Sequence, residues 1–381
     1  MLFGNKKFSG IDFCDNTISC ATVKVERGLP VLQKITQQEV TEEIIKGGCV
    51  ADSELLIGEL RDYFQKGHMS KNVHLAIPTQ NILIRKVTSL PDVGESELRK
   101  LLHFHIGESI HLPFENPIYD FVKLGSIRPK QSSGKIGDMD DDVGEFSLGD
   151  LGQEEMSESP KSEVLLFATS KQLSQELADI FASAGLKALS AEIRGLALQR
   201  LLSYLHPHWL RETEMIINVA AHSVDIHIFK ENLIVFSRRK SINLHEFNSE
   251  TEDNDDEVFI LEDELSDHLE GQRQVAATKA ETRNLIEDAY LNEVFLEVER
   301  AQNFFRYSLN ERDTELTRTI VTGENANRIV DPLSERMESV KVVRIDFHSI
   351  LAPDFMDNDL LDSCSTAIGL AMRANEKINK H

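Results

Sequence analysis

Residues 8–25 read FSGIDFCDNTISCATVKV, and this stretch decides the fold. The turn formers Asp15 and Asn16 separate two runs in which apolar residues alternate, so the pattern predicts two antiparallel strands joined by a hairpin. After a second turn, residues 29–38 (LPVLQKITQQ) predict a third strand. A three-stranded meander therefore opens the chain.

A second stretch repeats this pattern. Residues 215–238 read MIINVAAHSVDIHIFKENLIVFSR, and Ile217 and Asn218 stand where Ile11 and Asp12 stand in the first meander. Alternating helical and strand patterns follow each meander. The sequence therefore predicts an α/β fold with duplicated halves, in which each domain holds a mixed sheet flanked by helices. Duplicated halves of this kind face each other across a cleft.

The predicted domains are residues 1–206 and 207–381. Within the first domain, residues 128–162 are rich in glycine and acidic side chains. They have too few large apolar groups to offset the entropy of ordering, so we expect a disordered loop. A second acidic loop is expected at 248–271.

Two helix N-termini carry recognisable signals. Asp52 is the expected N-cap of one helix, and Asp92 with Glu95 three residues later resembles a capping box. The apolar pattern from Leu361 to Arg373 predicts a single closing helix.

Composition excludes several classes of protein. The formal net charge of −23 repels nucleic acid and anionic lipid. No run of about 18 apolar residues is present, and the first nine residues lack the apolar stretch of a signal peptide, so we expect a cytoplasmic location. In a reducing cytosol the cysteines are expected to be free thiols, namely Cys14, Cys20, Cys49 and Cys364.

No metal site is predicted. Among the histidines, His103, His105 and His111 lie closest together. On a helix, residues two apart point to different faces, and the cysteine spacing fits no zinc site.

Several segments, in this order, resemble one known family. They are Val73–Ile77 with Pro78, Leu90-Pro91, Glu97-Leu98, His111-Leu112-Pro113-Phe114, Glu163–Leu202, Glu293–Phe305 and Ala367–Arg373. Together they resemble PilM, the cytoplasmic actin-like protein family of type IV pilus assembly. The related division protein FtsA ends in a membrane-binding amphipathic helix, whereas residues 374–381 here are a short polar tail.

The resemblance implies a duplicated actin-like ATPase fold with four subdomains, of which a small one is inserted in the first half at about 73–124. It also implies a partner, the cytoplasmic N-terminal peptide of a PilN-like bitopic membrane protein, and contact with other pilus assembly proteins. The expected role is that of a scaffold, held at the inner face of the cell membrane through this partner. Finally, the resemblance implies an interdomain cleft that holds ATP with a divalent metal ion such as Mg²⁺.

The nucleotide residues can be carried over one at a time. The implied set is Gly10, Asp12, Asn16 and Thr17 in the first turn, Asn218, Ala220 and Ala221 in the second, and Gly323 after a later strand. However, Cys14 replaces a turn glycine, Asp15 adds a negative charge, and Asn218 replaces a family aspartate. Side chains at Glu324 and Asn325 stand where the family has glycine. We therefore expect a degenerate site with no catalytic residues and at most weak binding of ATP with Mg²⁺.

The partner peptide is expected to dock beside the inserted subdomain. Candidate contacts are Arg85, Leu112, Pro113 and Phe114. The alternative is that the three apolar residues seal the core of the subdomain. We expect Arg85, Arg238 and Arg239 to be solvated or ion-paired, although any of them could instead bind a carboxylate of a partner. Two other functions stay open at this point: an active ATP-hydrolysing or sugar-kinase-like enzyme on the same fold, and an FtsA-like division protein.

Overall fold

The computed structural model describes residues 7–27, 29–67, 69–127, 159–242, 287–309, 311–312, 314–351 and 357–373. Nearly all of the predicted loop 128–162, and the whole of the predicted loop 248–271, lie outside these residues. At the end of the first loop, Lys161 and Ser162 belong to a strand.

The residues up to Leu205 form ten strands and four helices within the described part of the chain. They are β1 Lys7–Cys14, β2 Thr17–Glu26, β3 Leu29–Glu39, β4 Ile45–Lys46, β5 Cys49–Val50, α1 Ser53–Gln65, β6 Asn72–Ile77, β7 Ile82–Val87, α2 Glu95–His105, β8 Pro117–Ile127, β9 Lys161–Ser170, α3 Lys171–Ser183, β10 Lys187–Ile193 and α4 Arg194–Leu205. Both predicted meanders are confirmed, because β1, β2 and β3 pair antiparallel, as do the first three strands after Leu205.

The remaining elements are β11 Thr213–Val219, β12 Ser223–Lys230, β13 Leu233–Ser241, α5 at 287–303 with a π-helical turn Phe304–Ser308, β14 Arg318–Thr322, α6 Ala326–Arg336, β15 Lys341–Arg344, α7 Asn358–Ser363 and α8 Ser365–Ala371. The prediction of a single closing helix from Leu361 to Arg373 is wrong, because α7 and α8 are separate helices. The chain leaves helical geometry at Cys364, which ends α7 and precedes α8.

Two five-stranded sheets have the same topology. Their strand orders are β10-β6-β1-β2-β3 and β13-β12-β11-β14-β15. In each sheet the first strand of the meander pairs in parallel with a later strand, which in turn pairs in parallel with the last one. The predicted α/β fold with duplicated mixed sheets is therefore confirmed.

Each sheet buries one face under helices. Apolar residues of α1 and α3 pack on the first sheet, and those of α5 and α6 pack on the second. The helix residues that do so are Leu56, Leu60, Tyr63, Leu173, Leu177, Ile180 and Phe181 in the first half, and Val294, Phe295, Val298, Ile329 and Leu333 in the second. Burying one such side chain contributes about 1.5–3 kcal/mol.

Residues Leu83–Thr169 form a compact unit of their own, and the other unit comprises Met1–Ile82 and Ser170–His381. The small unit has a three-stranded sheet in the order β7-β9-β8. Helix α2 covers it through Leu98 and Leu102, which pack with Phe121 and Val164.

These bounds differ from the predicted subdomain at about 73–124. Strand β6 lies in the first large sheet, between β10 and β1, because Val73, Leu75 and Ile77 are buried in the first core. The small unit also extends past residue 124, since β9 lies between β7 and β8. A domain boundary at 206 stays a prediction.

Of the two predicted helix caps, one is confirmed and the other is wrong. Asp52 accepts a hydrogen bond from the Leu55 N–H at 2.9 Å and caps α1, as expected. Asp92 does not cap α2, whose N-cap is Gly94 without a side-chain bond. Its carboxylate instead accepts a hydrogen bond from Lys123 Nζ at 2.6 Å. A charged lysine satisfies a carboxylate better than an exposed helix end does.

Helix α8 packs closely on β1 and α4 through two glycines. A Cβ at Gly10 would lie 1.9 Å from the carbonyl oxygen of Ala367, and one at Gly369 would lie 2.1 Å from that of Ala197. Backbone touches backbone at both places, so neither neighbour can move aside as a flexible side chain would.

We expect Gly10→Ala to destabilise the protein by about 3 kcal/mol, because overpacking forces the backbone apart. Gly58→Ala in α1 is the matched control, since a Cβ there meets no atom within 4 Å. That change should stabilise the helix by up to about 1 kcal/mol. Urea unfolding of both variants measures the difference, and equal midpoints would contradict the packing described.

We expect a short Gly-Ser linker in place of residues 129–158 to leave the melting temperature within a few degrees, because closure entropy changes slowly with loop length. Extending the replacement through Ser162 should destabilise the small unit. Ser162 is 0% exposed, and its N–H donates to the Leu90 carbonyl at 2.9 Å. Calorimetry of both variants tests this, and loss of soluble protein with the shorter replacement would refute it.

Candidate functional site at the two hairpin turns

The hairpin turns of the two sheets touch each other directly. The first joins β1 to β2, and Asp15 in it has a left-handed backbone with φ of 54°. The second precedes Ser223 and is closed by a hydrogen bond from the Ala220 N–H to the Ser223 carbonyl at 2.9 Å. Ser223 Oγ donates to Asp15 Oδ2 at 2.9 Å, and Cys14 Sγ lies 3.7 Å from the same hydroxyl.

Arg194 joins the two halves from beneath the turns. As the first residue of α4, it donates from Nε to Asp12 Oδ1 at 2.7 Å and from Nη1 to Asp225 Oδ2 at 3.0 Å. Its Nη2 also donates to the Phe13 carbonyl. Asp12 lies on β1 and Asp225 on β12, so one guanidinium group bonds both sheets. The Arg194 side chain is only 2% exposed.

Arg239 on β13 makes a second bridge. It donates from Nη1 to Asp225 Oδ2 at 2.7 Å and from Nη2 to Asp15 Oδ1, also at 2.7 Å. The same Nη2 lies 3.0 Å from Cys14 Sγ. Its side chain is 2% exposed. We call Asp12, Asp15, Arg194, Asp225 and Arg239 the arginine cluster.

The protonation of the cluster follows from burial and from the arginines. Burial alone would raise the pKa of Asp225, but Arg239 and Arg194 together lower it below its usual value. Burial raises the pKa of Asp12, which has Arg194 as its close partner. Although burial opposes the charged form of Arg194, the two carboxylates raise the pKa of that guanidinium and keep it charged. The cluster thus contains three carboxyl groups and two guanidinium groups with little access to water.

His227 lies two residues from Asp225 on β12. Burial lowers the pKa of His227 to about 4, with Asp225 opposing the shift and Arg194 adding to it. Its Nδ1 is hydrogen-bonded to Ser237 Oγ at 2.8 Å. The ring is therefore neutral at physiological pH.

The predicted nucleotide residues of the first turn are spread over separate contacts. Asp12 belongs to the arginine cluster, whereas Gly10 packs on α8. Asn16 Nδ2 donates to Glu39 Oε1 at 2.9 Å, and Thr17 is buried. Of this set, only Asp12 presents its side chain to the junction of the two halves.

The predicted residues of the second half lie together around the end of β11. Asn218 Nδ2 donates to Thr366 Oγ1 at 3.3 Å, and the carbonyl of Ala220 accepts from Asn325 Nδ2 at 3.0 Å. Gly323 has φ of 100°, and a Cβ there would lie 2.4 Å from Asn218 Oδ1. Ala221 is half-buried in the turn itself.

Sequence reasoning missed Arg194. It placed Arg239 among residues that are solvated, ion-paired or able to bind a carboxylate of a partner, and the ion pairs lie within the chain. Two signals were available. Arg194 follows the buried Ile193 at a strand-to-helix junction, where a lone charge needs a partner. Alternation along β13 sends Arg238 and Arg239 to opposite faces, and Arg238 pairs with Glu297 of α5 at 3.0 Å. The neighbouring Arg239 must therefore face away from α5, toward the junction.

The predicted partner-binding residues lie in the small unit. Arg85 Nη1 donates to the His111 carbonyl at 3.1 Å, just before Leu112. Leu112 and Phe114 line a pocket of about 360 Å³ together with Pro117, the first residue of β8. Leu112 also packs on the core of the unit, so it seals that core and lines the pocket at once. Pro113 is exposed.

Within the described ranges, neither a metal cluster nor a membrane-spanning helix is present. No group of three or more His, Cys, Asp or Glu side chains there is arranged to hold a metal ion. No helix among those residues is long and apolar enough to cross a bilayer.

We expect the buried His227 to make stability depend on pH between about 4 and 6.5. In that range the unfolded chain binds a proton at His227, with its ordinary pKa of 6.5, whereas the folded chain does not. Stability is therefore fully present above pH 6.5 and is lost as pH falls toward 4, by on the order of 3 kcal/mol.

His227→Gln should remove this part of the pH dependence, and His208→Gln, at an exposed position, should keep it. Urea midpoints at pH 4.5, 5.5 and 7 measure the slopes. The same slope in both variants would show that His227 is not the group responsible.

Comparison with solved structures supports the fold. The chain matches a chain of the PilM–PilN type IV pilus biogenesis complex with a TM-score of 0.67 at 15% identity, covering 96% of this chain and 98% of that one. It also matches the ethanolamine utilization protein EutJ from Carboxydothermus hydrogenoformans, with a TM-score of 0.48, 10% identity and coverage of 96% and 89%. MreB 5 of Spiroplasma citri bound to AMPPNP matches with a TM-score of 0.45, 10% identity and coverage of 98% and 97%.

No protein-family model and no curated protein matches the sequence. The assignment therefore depends on the first structural match, and at 15% identity that match is evidence about architecture. Together with the duplicated sheets, it shows that the chain has the two-domain actin-like fold in the form seen in the PilM–PilN complex.

Proposed function

We propose that this protein is a scaffold of a type IV pilus or competence pilus assembly system. In this role it binds the cytoplasmic N-terminal peptide of a PilN-like membrane protein. The observation that carries the proposal is the match in fold to the PilM–PilN complex over 96% of this chain. The segments that resemble the PilM family support it. We infer that the protein works at the inner face of the cell membrane, to which the partner holds it.

An exposed strand edge supports binding of an extended peptide. Among the described residues, β8 is an edge strand of the small sheet, so one side of its backbone has no neighbouring strand there. Such an edge can pair with an incoming peptide through main-chain hydrogen bonds. On one face β8 presents Ile118, Val122 and Leu124, which are 47%, 38% and 36% exposed. Apolar side chains so placed would contact alternate side chains of a bound strand.

The pocket at the start of β8 supports an apolar anchor in the peptide. Phe114 and Leu112 provide its apolar wall, and Glu115 and His111 lie at its rim. The Arg85 guanidinium is exposed beside it and is held by a single carbonyl contact. A peptide that pairs with β8 could place one large side chain here, since Pro117 belongs to both the strand and the pocket wall.

The charge of the chain supports a basic partner. The formal net charge of −23 attracts lysine and arginine near the apolar anchors of a peptide. Attraction of this kind speeds association and is screened by salt, with a Debye length of about 10 Å at 0.1 M.

We propose no catalytic role for the chain. The aspartates at the junction, Asp12, Asp15 and Asp225, are all bonded to arginine. Asp12 and Asp225 are buried against these arginines and do not face solvent, so they are poorly placed to take a proton from a substrate.

We expect a fluorescent peptide from the N-terminus of the PilN-like protein to bind with a Kd of tens of micromolar or tighter. Leu124→Asp and Phe114→Ala should each weaken binding about tenfold or more. Leu29→Asp is the matched control, because Leu29 is 56% exposed on β3 of the large unit. Raising NaCl from 50 to 500 mM should weaken binding to the unchanged protein.

Anisotropy titration measures these constants. No binding by a folded protein, combined with failure of the full-length partner in a pull-down, would overturn the proposed function. Binding that neither Leu124→Asp nor Phe114→Ala weakens would refute the edge of the small sheet as its site.

A further inference from the structure

The arginine cluster lies where the actin-like fold brings its two hairpin turns together. In this chain the turns are bonded to each other, with 2.9 Å between Ser223 Oγ and Asp15 Oδ2. A phosphate group held between two turns accepts hydrogen bonds of about 2.8 Å from both turns, so it would occupy the place where these two side chains meet. The observed contact fills that place.

Charge, like the lack of space, opposes the binding of a nucleotide at this junction. Asp15 has its carboxylate at the contact point, and an anion there repels phosphate in a site with little water. The same contacts also disfavour the binding of a metal ion. Asp12, the carboxylate that the fold would offer to metal-bound water, is bonded to Arg194 at 2.7 Å. A divalent cation would have to displace a buried guanidinium group from its partner.

The second half closes its own part of the site. A Cβ at Gly323 would strike Asn218 and Val219, so the strand ends meet without a gap. Asn325 donates to the Ala220 carbonyl at 3.0 Å and ties the segment after β14 to the second turn. Polar groups that would serve a ligand are thus used within the chain.

The arginines also do what a bound nucleotide and metal would otherwise do, which is to connect the two halves. Arg194 bonds Asp12 of β1 and Asp225 of β12. Arg239 bonds Asp15 of the first turn and Asp225. Each guanidinium group therefore spans the junction, and Asp225 is shared by both.

We propose that the arginine cluster replaces Mg·ATP as the connection between the two halves, so that their junction is closed in the absence of any nucleotide. The inference goes beyond the scaffold role and does not depend on it. A partner would then meet one fixed arrangement of the large unit, whatever the ATP concentration. Peptide binding could fail without affecting this inference.

The four cysteines provide a test within the native chain. Cys14 lies at the junction, partly buried against Arg239 and Ser223, and reports whether the turns separate. Cys49 is exposed and reports the full labelling rate, whereas Cys20 and Cys364 are buried and report global unfolding. Labelling with iodoacetamide, followed by mass spectrometry of each cysteine, gives all the rates in one experiment.

We expect Cys14 in the unchanged protein to react at least about 100-fold more slowly than Cys49, with the same rate in the presence and absence of 5 mM Mg·ATP. Arg239→Met should raise the Cys14 rate about tenfold or more while Cys20 and Cys364 stay protected. The change removes a charge that favours the thiolate, so faster labelling can come only from exposure. Arg238→Met is the matched control on the neighbouring residue, and it should leave the rate unchanged.

A milder variant covers the case in which Arg239→Met does not fold. Arg239→Lys keeps the positive charge but cannot bond Asp15 and Asp225 at once with a planar fork, so it should give a smaller rise in the Cys14 rate.

Phosphate release from Mg·ATP by the unchanged protein should be no faster than in buffer.

Three results would overturn the inference. A change in the Cys14 rate on adding Mg·ATP to the unchanged protein would show that nucleotide enters the junction. Labelling of Cys14 as fast as Cys49 would show that the turns are open. Equal Cys14 rates in Arg239→Lys and Arg238→Met would show that Arg239 does not hold the turns together.

Discussion

The pairing of two buried guanidinium groups with three aspartates is the constraint on which the large unit depends. Removing a charge from water costs several kcal/mol unless a partner of opposite charge and good geometry is present. Arg194 and Arg239 are each only 2% exposed, and their partners come from both sheets. Neither half could separate without leaving a charge buried and unpaired or drawing water into the junction. The duplicated sheets therefore act as one body at this point, although each has an apolar core of its own.

The duplicated architecture could be predicted from the sequence because its signals are local. Two meanders with alternating apolar residues, each followed by helical and strand patterns, are enough to predict two mixed sheets. The errors arose where distant contacts override local pattern. Strand β6 reads like the start of the inserted subdomain, yet Val73 and Leu75 are buried in the first core. Asp92 resembles a helix cap, yet Lys123 of β8 binds it. Neither contact can be predicted from the residues that are nearby in the sequence.

The residues of the junction could be named from the sequence only in part. Asp12 belongs to the arginine cluster, whereas Asn218 bonds Thr366 and Gly323 packs against Asn218. A nucleotide role for these residues stays a prediction. From the sequence, Cys14 and Asp15 could be recognised as departures from a phosphate-binding turn. Their contacts across the junction could not be predicted, because these contacts depend on arginines far along the chain. An isolated Asp15 looks like a defect in a phosphate-binding turn. Beside Arg239 at 2.7 Å, the same carboxylate is one side of an ion pair between the halves.

The close packing at Gly10 and Gly369 has a consequence for folding during synthesis on the ribosome. Helix α8 comes far later in the chain than β1, yet it lies against that strand. The first sheet therefore waits, with one face lacking this helix, until residues 365–371 have emerged. Domains usually fold in order as they are made. Here the first half exposes apolar strands throughout that interval, which makes the nascent chain a natural substrate for chaperones that shield such surfaces.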